Sequence, residues 1–418
     1  MALRRSHYWY TFSKKMGFDP QAFRQQFPIL ATQNRFGKPL VYLDNAATTQ
    51  VPEGVIQAID THFRRQNANI HRSVYDLGTQ SELMYESTRQ AVADYIHAAS
   101  VEEIIFNSGA TEGLNWIASQ FTHLTPEDEI LVTIQDHHSN ILPWQRLSAT
   151  VRFIGMTPEG DFDEDDFQKK LSSRTKIVSI AQYHNVLGTV NPIQRIAQAA
   201  HQVGALCVVD GAQALLHGPI DVQEMDCDFW VTSAHKAYGP TGIGFLYGKS
   251  SLLNNCQPLR FGGGIVERVF TDRPAIFRSI PERFEAGTPN IIGVAGLRAS
   301  IQFLNNLDWD SLQKYLQQLQ HELLERLLPE VQVLCPNNHR IPIIAWVQSD
   351  VHPHDCASIL DSEGIAVRAG HQCAYPLMQH LGITGCTRVS LAPYNTREDI
   401  DHLVQGLKKI HKILGRKS

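Results

Sequence analysis

From about residue 40 to residue 250, short β-rich apolar runs alternate with longer helical patterns. No other feature limits the fold so strongly. The strand candidates are LVYLD (40–44), EIIFN (103–107), EILVTI (129–134), KIVSIA (176–181), ALCVVD (205–210) and GFLYG (244–248). Between them lie helical stretches such as SELMYESTRQAVADYIH (81–97) and IQRIAQAAHQVG (193–204). This alternation predicts an α/β fold with a mostly parallel sheet flanked by helices. After residue 300 the texture changes to a long amphipathic helix, DSLQKYLQQLQHELLERLL (310–328). It is followed by IPIIAWV, a DCASILDSEGI helix and a terminal helix, REDIDHLVQGLKKIHKIL, which together read as a smaller α+β domain. At 418 residues the chain is too long for one simple core. The predicted organisation is an N-terminal segment (1–34) packing with the small domain, a large domain (35–305) and a small C-terminal domain (306–418).

Composition excludes several classes of function. A formal net charge of −5 offers no electrostatic case for nucleic-acid binding. No apolar run approaches the roughly 20 residues needed to span a bilayer. Seven cysteines are dispersed without a CxxC pair, which fits reduced thiols better than a disulfide framework or a zinc site. The opening MALRRSHYWYTFSKKM is basic and has no apolar core for secretion. We read it as lying upstream of a working start at Met16, in a cytoplasmic protein.

In an open parallel sheet, ligands sit beyond the carboxyl ends of the strands, and the chemically loaded residues cluster there. CVVDGAQ ends a strand with Asp210 and sets Gln213 three residues later. A buried carboxylate needs a cationic partner, and the protonated ring nitrogen of pyridoxal phosphate is one. Asp210 on its own serves equally well as a helix cap. However, 26 positions later comes VTSAHKAYGPTGIG, in which Lys236 has only small, aromatic and glycine neighbours besides His235. An amine kept partly dehydrated there can form a Schiff base with a carbonyl. NSGATEGLN (107–115) follows a strand and opens a helix, offering Ala110, backbone N–H groups and the Thr111 hydroxyl as a phosphate cradle that Ser233 and His235 can complete. FGGGIV (261–266) reads as part of a hairpin and takes no cofactor role. In IQDHHSNILPW, His137 is the candidate for stacking on the ring and exchanging protons, with His138 as the substitute. Adjacent histidines without a third ligand make a poor metal site, so no metal is expected.

DNAATT, NIHRS, SGATEGLN, DHHSNILPW, HNVLGTVNPI, VDGAQ, SAHKAYGPTGIG, EAGTPN, RAGHQC and RVSLAPYNT follow the order seen in cysteine desulfurases, enzymes of pyridoxal-phosphate fold type I. The chain resembles them from about residue 16 to its end. The short RAGHQCA segment resembles the second, SufS/CsdA-like group. DHH stands where EHH is more usual.

The resemblance implies that Lys236 carries the cofactor, Asp210 faces its ring nitrogen, Gln213 its phenolic oxygen, and His137 its ring face. It implies that Ala110, Thr111, Ser233 and His235 hold the phosphate, with Thr288 of EAGTPN lent by a second subunit of a homodimer. Cys373 matches the nucleophile that accepts sulfur. Arg388 and Asn185 match the substrate-carboxylate site, Asn185 also touching the cofactor, with His71 and Arg368 nearby. The implied reaction converts L-cysteine to L-alanine. The sulfur passes to Cys373 as a persulfide and then to a SufE/CsdE-like acceptor, as in iron–sulfur cluster assembly. Cys373 lies in a polar, glycine-containing loop, unlike Cys207 inside its apolar strand. Selenocysteine lyase is the alternative that sequence does not separate. A scaffold that binds cofactor without turnover has no need of both Lys236 and Cys373, and an aminotransferase gives Cys373 no role.

Overall fold

The structure, a computed structural model, describes residues 18–71, 74–327, 329–336 and 340–413; the basic N-terminal stretch and Met16 lie outside the described residues. The first expected strand forms only as β1 (Val41–Tyr42), and it lies outside the main sheet. That sheet has seven strands: β2 (Ile104–Asn107), β3 (Glu129–Thr133), β4 (Thr150–Ile154), β5 (Thr175–Ala181), β6 (Leu206–Asp210), β7 (Phe229–Ser233) and β8 (Gly244–Gly248). Their order is β2-β8-β7-β6-β5-β3-β4. All neighbours are parallel except that β8 runs antiparallel to both β2 and β7. The carboxyl ends of β2, β3, β5, β6 and β7 therefore open on one edge, which is where the sequence reading puts the site.

Two strands of this sheet are absent from the sequence candidates. β4 is the outer strand, with a half-exposed face that includes Thr150 and Arg152, so its apolar signal is weak. β7 is buried throughout, and its FWVTS run leads directly into the lysine turn. The helices follow their apolar spacing. Along Ile193–Gln202, Ile193, Ile196, Ala197 and Ala200 recur on one face and are buried in the core that includes Val178 and Val209. A fully buried isoleucine such as Ile196 is worth about 1.5–3 kcal/mol of transfer free energy.

The FGGG segment leads into the expected hairpin, β9 (Val266–Arg268) against β10 (Ile276–Phe277). Beyond it stands a second, antiparallel sheet of order β11-β12-β15-β14. It comprises β11 (Val331–Val333), β12 (Ile343–Gln348), β14 (Arg368–Gly370) and β15 (Cys386–Ser390). Its core takes in the helices Trp309–Arg326, Pro353–Ser362 and Arg397–Ile413. The short strand β13 (Ile365–Ala366) pairs in parallel with β1, so the LVYLD run is recruited by the C-terminal unit. Phe27 joins the two units, its ring 4.7 Å from that of Tyr394 and 5.5 Å from that of Tyr238, two residues past the lysine.

Candidate active site

Gly109 begins the cradle. Its φ of +140° is a conformation only glycine adopts readily, and a Cβ there would lie 2.8 Å from Ser233 Oγ. It caps the helix Ala110–Ser119, and the Ala110 N–H donates to Ser233 Oγ at 2.8 Å. Free backbone N–H groups at this helix start, beside the Thr111 and Ser233 hydroxyls, are what a phosphate requires.

A cavity of about 240 Å³ opens on this edge of the sheet. Ala110, Thr111, His137, Asn185, Asp210, Gln213, Ser233, His235, Lys236, Arg368, Cys373 and Arg388 all line it. Thus twelve of the fourteen expected residues converge on one space. His71 and Thr288 do not line it. His71 has a φ of +64° and its Nδ1 lies 3.7 Å from Glu82 Oε1, while Thr288 is exposed. The segment carrying Thr288 is anchored through Glu285, which accepts from both Arg89 Nη atoms (2.7 and 2.9 Å), Tyr85 Oη (2.9 Å) and the Phe106 N–H (2.7 Å).

The electrostatics follow from burial. Lys236 is brought down to about 8 by desolvation and by Arg388 and Arg368, against the pull of Asp210. Asp210 is raised by burial; its Oδ1 accepts only the Ala212 N–H, at 2.9 Å. His137 is pushed to about 3 by burial and by the Lys236 charge, so its imidazole is neutral. Its Nδ1 accepts the Ser139 N–H at 3.1 Å, which leaves Nε2 as the protonated nitrogen. Burial and the same lysine lower His235 to about 4.

Cys373 reaches the cavity on the loop after β14. Gln372 and Cys373 both have φ of +56°, an uncommon conformation for residues with a Cβ. Three contacts hold them there. The His138 N–H donates to Cys373 O at 2.8 Å, Asn185 Nδ2 donates to Gln372 O at 2.9 Å, and His371 Nδ1 accepts the Cys373 N–H at 3.0 Å. Cys373 is half-buried, whereas Cys356 and Cys386 are buried and burial raises both to about 11. His138, offered as a substitute for stacking, instead ties the cysteine loop, its Nε2 accepting the Tyr375 N–H at 3.0 Å.

Two residues of the site escaped the sequence reading. Asp44 accepts from Arg388 Nη2 at 2.8 Å and lies 3.7 Å from Arg368 Nη1, pairing the two candidate carboxylate binders. Ser139 lines the cavity and hydrogen-bonds Thr111 Oγ at 2.8 Å. Both stand inside quoted motifs, DNAATT and DHHSN, which was the available signal. Arg388 is buried, with Nη1 donating to Asn185 O at 2.8 Å and Nε left without a partner. Among the described residues, no group of three His, Cys, Asp or Glu side chains is placed to hold a metal, and no helix is long and apolar enough to cross a membrane.

The profile of the aminotransferase class-V family matches residues 41–403. The chain belongs to this family. Class-V relatives match along nearly the whole length. A probable cysteine desulfurase of Halalkalibacterium halodurans is 44% identical over 94% of this chain and 98% of its own. A cysteine desulfurase of Pectobacterium atrosepticum is 40% identical over 96% of this chain and 100% of its own. Among solved structures, the cysteine desulfurase CsdA of Escherichia coli superposes with a TM-score of 0.86 at 35% identity, covering 95% of this class-V chain and 99% of that one. The apo cysteine desulfurase of Thermococcus onnurineus gives 0.89 at 34%, covering 95% and 100%.

Proposed function

We propose that this class-V chain is a pyridoxal-phosphate-dependent cysteine desulfurase, converting L-cysteine to L-alanine and a protein-bound persulfide. One observation carries the reading: a desolvated lysine, a buried carboxylate short of a cation, a helix-capped cradle and an accessible cysteine share one cavity. The cavity fits the cofactor, because buried Asp210 has a single backbone donor and, among the described residues, no cation within ion-pair distance, Lys236 acting on it only from farther off, and the cradle N–H groups and hydroxyls suit a phosphate. When bound, pyridoxal phosphate supplies an aldehyde that condenses with an amine and a cationic ring that delocalises charge developing at the substrate Cα.

Lys236 would hold the cofactor, Asp210 its ring nitrogen and Gln213 its phenolic oxygen. Ala110, Thr111, Ser139, Ser233 and His235 would surround the phosphate. His137, neutral and buried, suits stacking on the ring, with Nε2 its only N–H. Arg388, at the cavity wall, would bind the substrate carboxylate through its guanidinium, helped by Asn185 and Arg368. Lys236 Nζ, once free and neutral, takes the Cα proton. Cys373 Sγ, as a thiolate, bonds to the substrate sulfur while the Cβ–S bond breaks and the carbon fragment leaves to become alanine. The left-handed turn at Gln372 and Cys373, tied to His138 and Asn185, keeps Sγ at the cavity wall.

Purified protein given L-cysteine and a reductant is expected to release alanine and sulfide in equal amounts. Pyruvate and ammonia in place of alanine would reject the reading. Selenide and alanine released faster from L-selenocysteine than sulfide and alanine from L-cysteine would identify a selenocysteine lyase.

The lowered Lys236 gives a pH test. The amine is cationic and unreactive below about 8 and neutral above it. Capture of pyridoxal phosphate by the apoprotein should therefore speed up as pH rises from 7 to 9. Stopped-flow absorbance measures it, and a midpoint near the ordinary lysine value of about 10.4 would contradict the burial argument.

The finer parts of the reading concern assembly. The helices Glu53–Arg65 and Asp76–Tyr95 leave Ile56, Phe63 and Leu83 exposed, which supports a two-fold partner. The exposed Thr288 suits a phosphate contact in that partner, and His71 fits the same shared edge. Thr288→Val is expected to loosen the cofactor about tenfold, as one hydrogen bond to a charged group predicts. Equilibrium dialysis measures the loss; a monomer with full turnover in sedimentation would remove the basis for the role. We assign residues 1–34, 35–305 and 306–418 as N-terminal segment, large domain and small domain. The setting proposed is the cytoplasm, with sulfur passed to a SufE/CsdE-like acceptor for iron–sulfur cluster assembly.

A further inference from the structure

Behind the reaction cavity lies a second one, of about 360 Å³. Tyr183 lines both. The second cavity is walled by apolar side chains, among them Leu216, Leu312, Leu316 and Ile341, with Trp309 beside them. Exposed Gln313 and Gln317 stand among the lining residues, and three buried polar groups interrupt the walls. His217 is more than nine-tenths buried, its only described side-chain contact is the edge of the Tyr183 ring at 5.7 Å, and burial alone drives it to about 3, so it is neutral. Gln320 is equally buried and its side-chain amide has no hydrogen-bond partner. Neither side chain has a polar atom both sealed from solvent and unpartnered, so the unmet donors and acceptors of both face open space. The third is Arg340, whose Nη1 donates to Leu187 O at 2.9 Å, whose Nη2 is held by Glu159 O, and whose Nε has no partner. Its Nη2 also pairs with the half-buried Asp161, whose Oδ1 lies 3.8 Å away.

Buried, unpaired polar groups are costly unless something satisfies them. Among the described residues lining this space there is no Asp or Glu, while one buried guanidinium, the buried Gln320 amide and the exposed amides of Gln313 and Gln317 are present. The size, apolar walls and few convergent polar groups are those of a small-molecule site. We infer that this cavity is a second ligand site, one that takes a small aromatic carboxylate, its ring between Trp309 and Tyr183 and its carboxylate toward Gln320, His217 and Arg340. The inference goes beyond the desulfurase reading and does not depend on it.

The site touches the machinery of the first cavity through one short segment. Tyr183 is two residues from Asn185, which holds Gln372 O, and Arg340 holds the carbonyl of Leu187. The Ile341 N–H also donates to Gly188 O at 3.1 Å. A ligand that tightens Arg340 and Tyr183 thus bears on the segment that positions the cysteine loop.

The test uses the cofactor-loaded full-length protein and indole-3-acetate, titrated by calorimetry with the visible absorbance followed in parallel. Saturable binding is expected without any change in visible absorbance, together with at least tenfold weaker binding of neutral indole. Gln320→Leu and His217→Asn should each weaken binding about tenfold, consistent with loss of one charge-assisted hydrogen bond. Gln317→Trp, at the exposed helix face of the cavity mouth, should abolish it without lowering the melting temperature. If a buried variant proves unstable, the Gln317 variant alone decides. Absence of saturation, binding unchanged by Gln317→Trp, or a ligand-induced change in visible absorbance would each overturn the assignment. Desulfurase activity does not enter these readouts, so the two proposals fail separately.

Discussion

Cys373→Ser is expected to leave a protein that keeps its cofactor colour, still perturbs its visible spectrum on addition of L-cysteine, and makes almost no alanine. The reason is a division of labour in the cavity. In the proposed reading Lys236, Asp210 and the cradle around Ala110 bind and activate, whereas Cys373 is placed by its own loop contacts to His138 and Asn185. Replacing sulfur by a hydroxyl removes the acceptor without disturbing those backbone ties. Turnover with L-cysteine should fall at least about a hundredfold, since loss of a nucleophile removes a whole bond-forming step. With L-selenocysteine the fall should be smaller, because a selenolate leaves carbon more readily without help. Persulfide mapping by mass spectrometry is the deciding measurement. Sulfane sulfur on buried Cys356 or Cys386, or full turnover by the serine variant, would defeat the assignment.

Lys236→Ala carries a comparable loss for a different reason. The lysine is the amine that burial holds near 8, so it is neutral in a usable fraction near physiological pH, and the proposed reading uses it both as anchor and as base. Its removal should cut turnover by about a thousandfold or more, the range of a lost proton-transfer group. Noncovalent cofactor should be retained through Asp210, His137 and the phosphate cradle. Borohydride reduction followed by peptide mapping should label Lys236 in the parent protein and no lysine in the variant. A label on another lysine in the parent would transfer the role elsewhere.

What made much of the site readable is that its chemistry is written locally. NSGATEGLN, DHHSN, VDGAQ and SAHK each follow a strand end, and the parallel strands deliver their carboxyl ends to one edge. The glycine at 109, the hydroxyls at 111 and 233 and the lysine at 236 need only that shared edge to meet. The reading was less successful where the signal was not local. LVYLD has the pattern of a sheet strand, yet it supplies only β1, because β13 from the C-terminal unit offers it a parallel partner. Asp44 escaped for the same reason: its importance lies in a pair with Arg388, 344 positions away. Ser139 was overshadowed by the two histidines before it, although it is Ser139 that reaches Thr111.

By itself, then, the sequence determined the α/β class, most strands of the main sheet and the candidate residues that meet at its edge, since side-chain identity and strand–helix periodicity are properties of short stretches. Only the tertiary structure decided the strand order, the reversal of β8, and the joining of a loop from the small sheet to His138 and Asn185 so that Cys373 faces the lysine's cavity. It also set the state of the groups: Lys236 and His137 shift because neighbouring segments exclude water and bring charge close. Desolvation and charge pairing depend on what surrounds a group in space, and no window of the chain contains those surroundings.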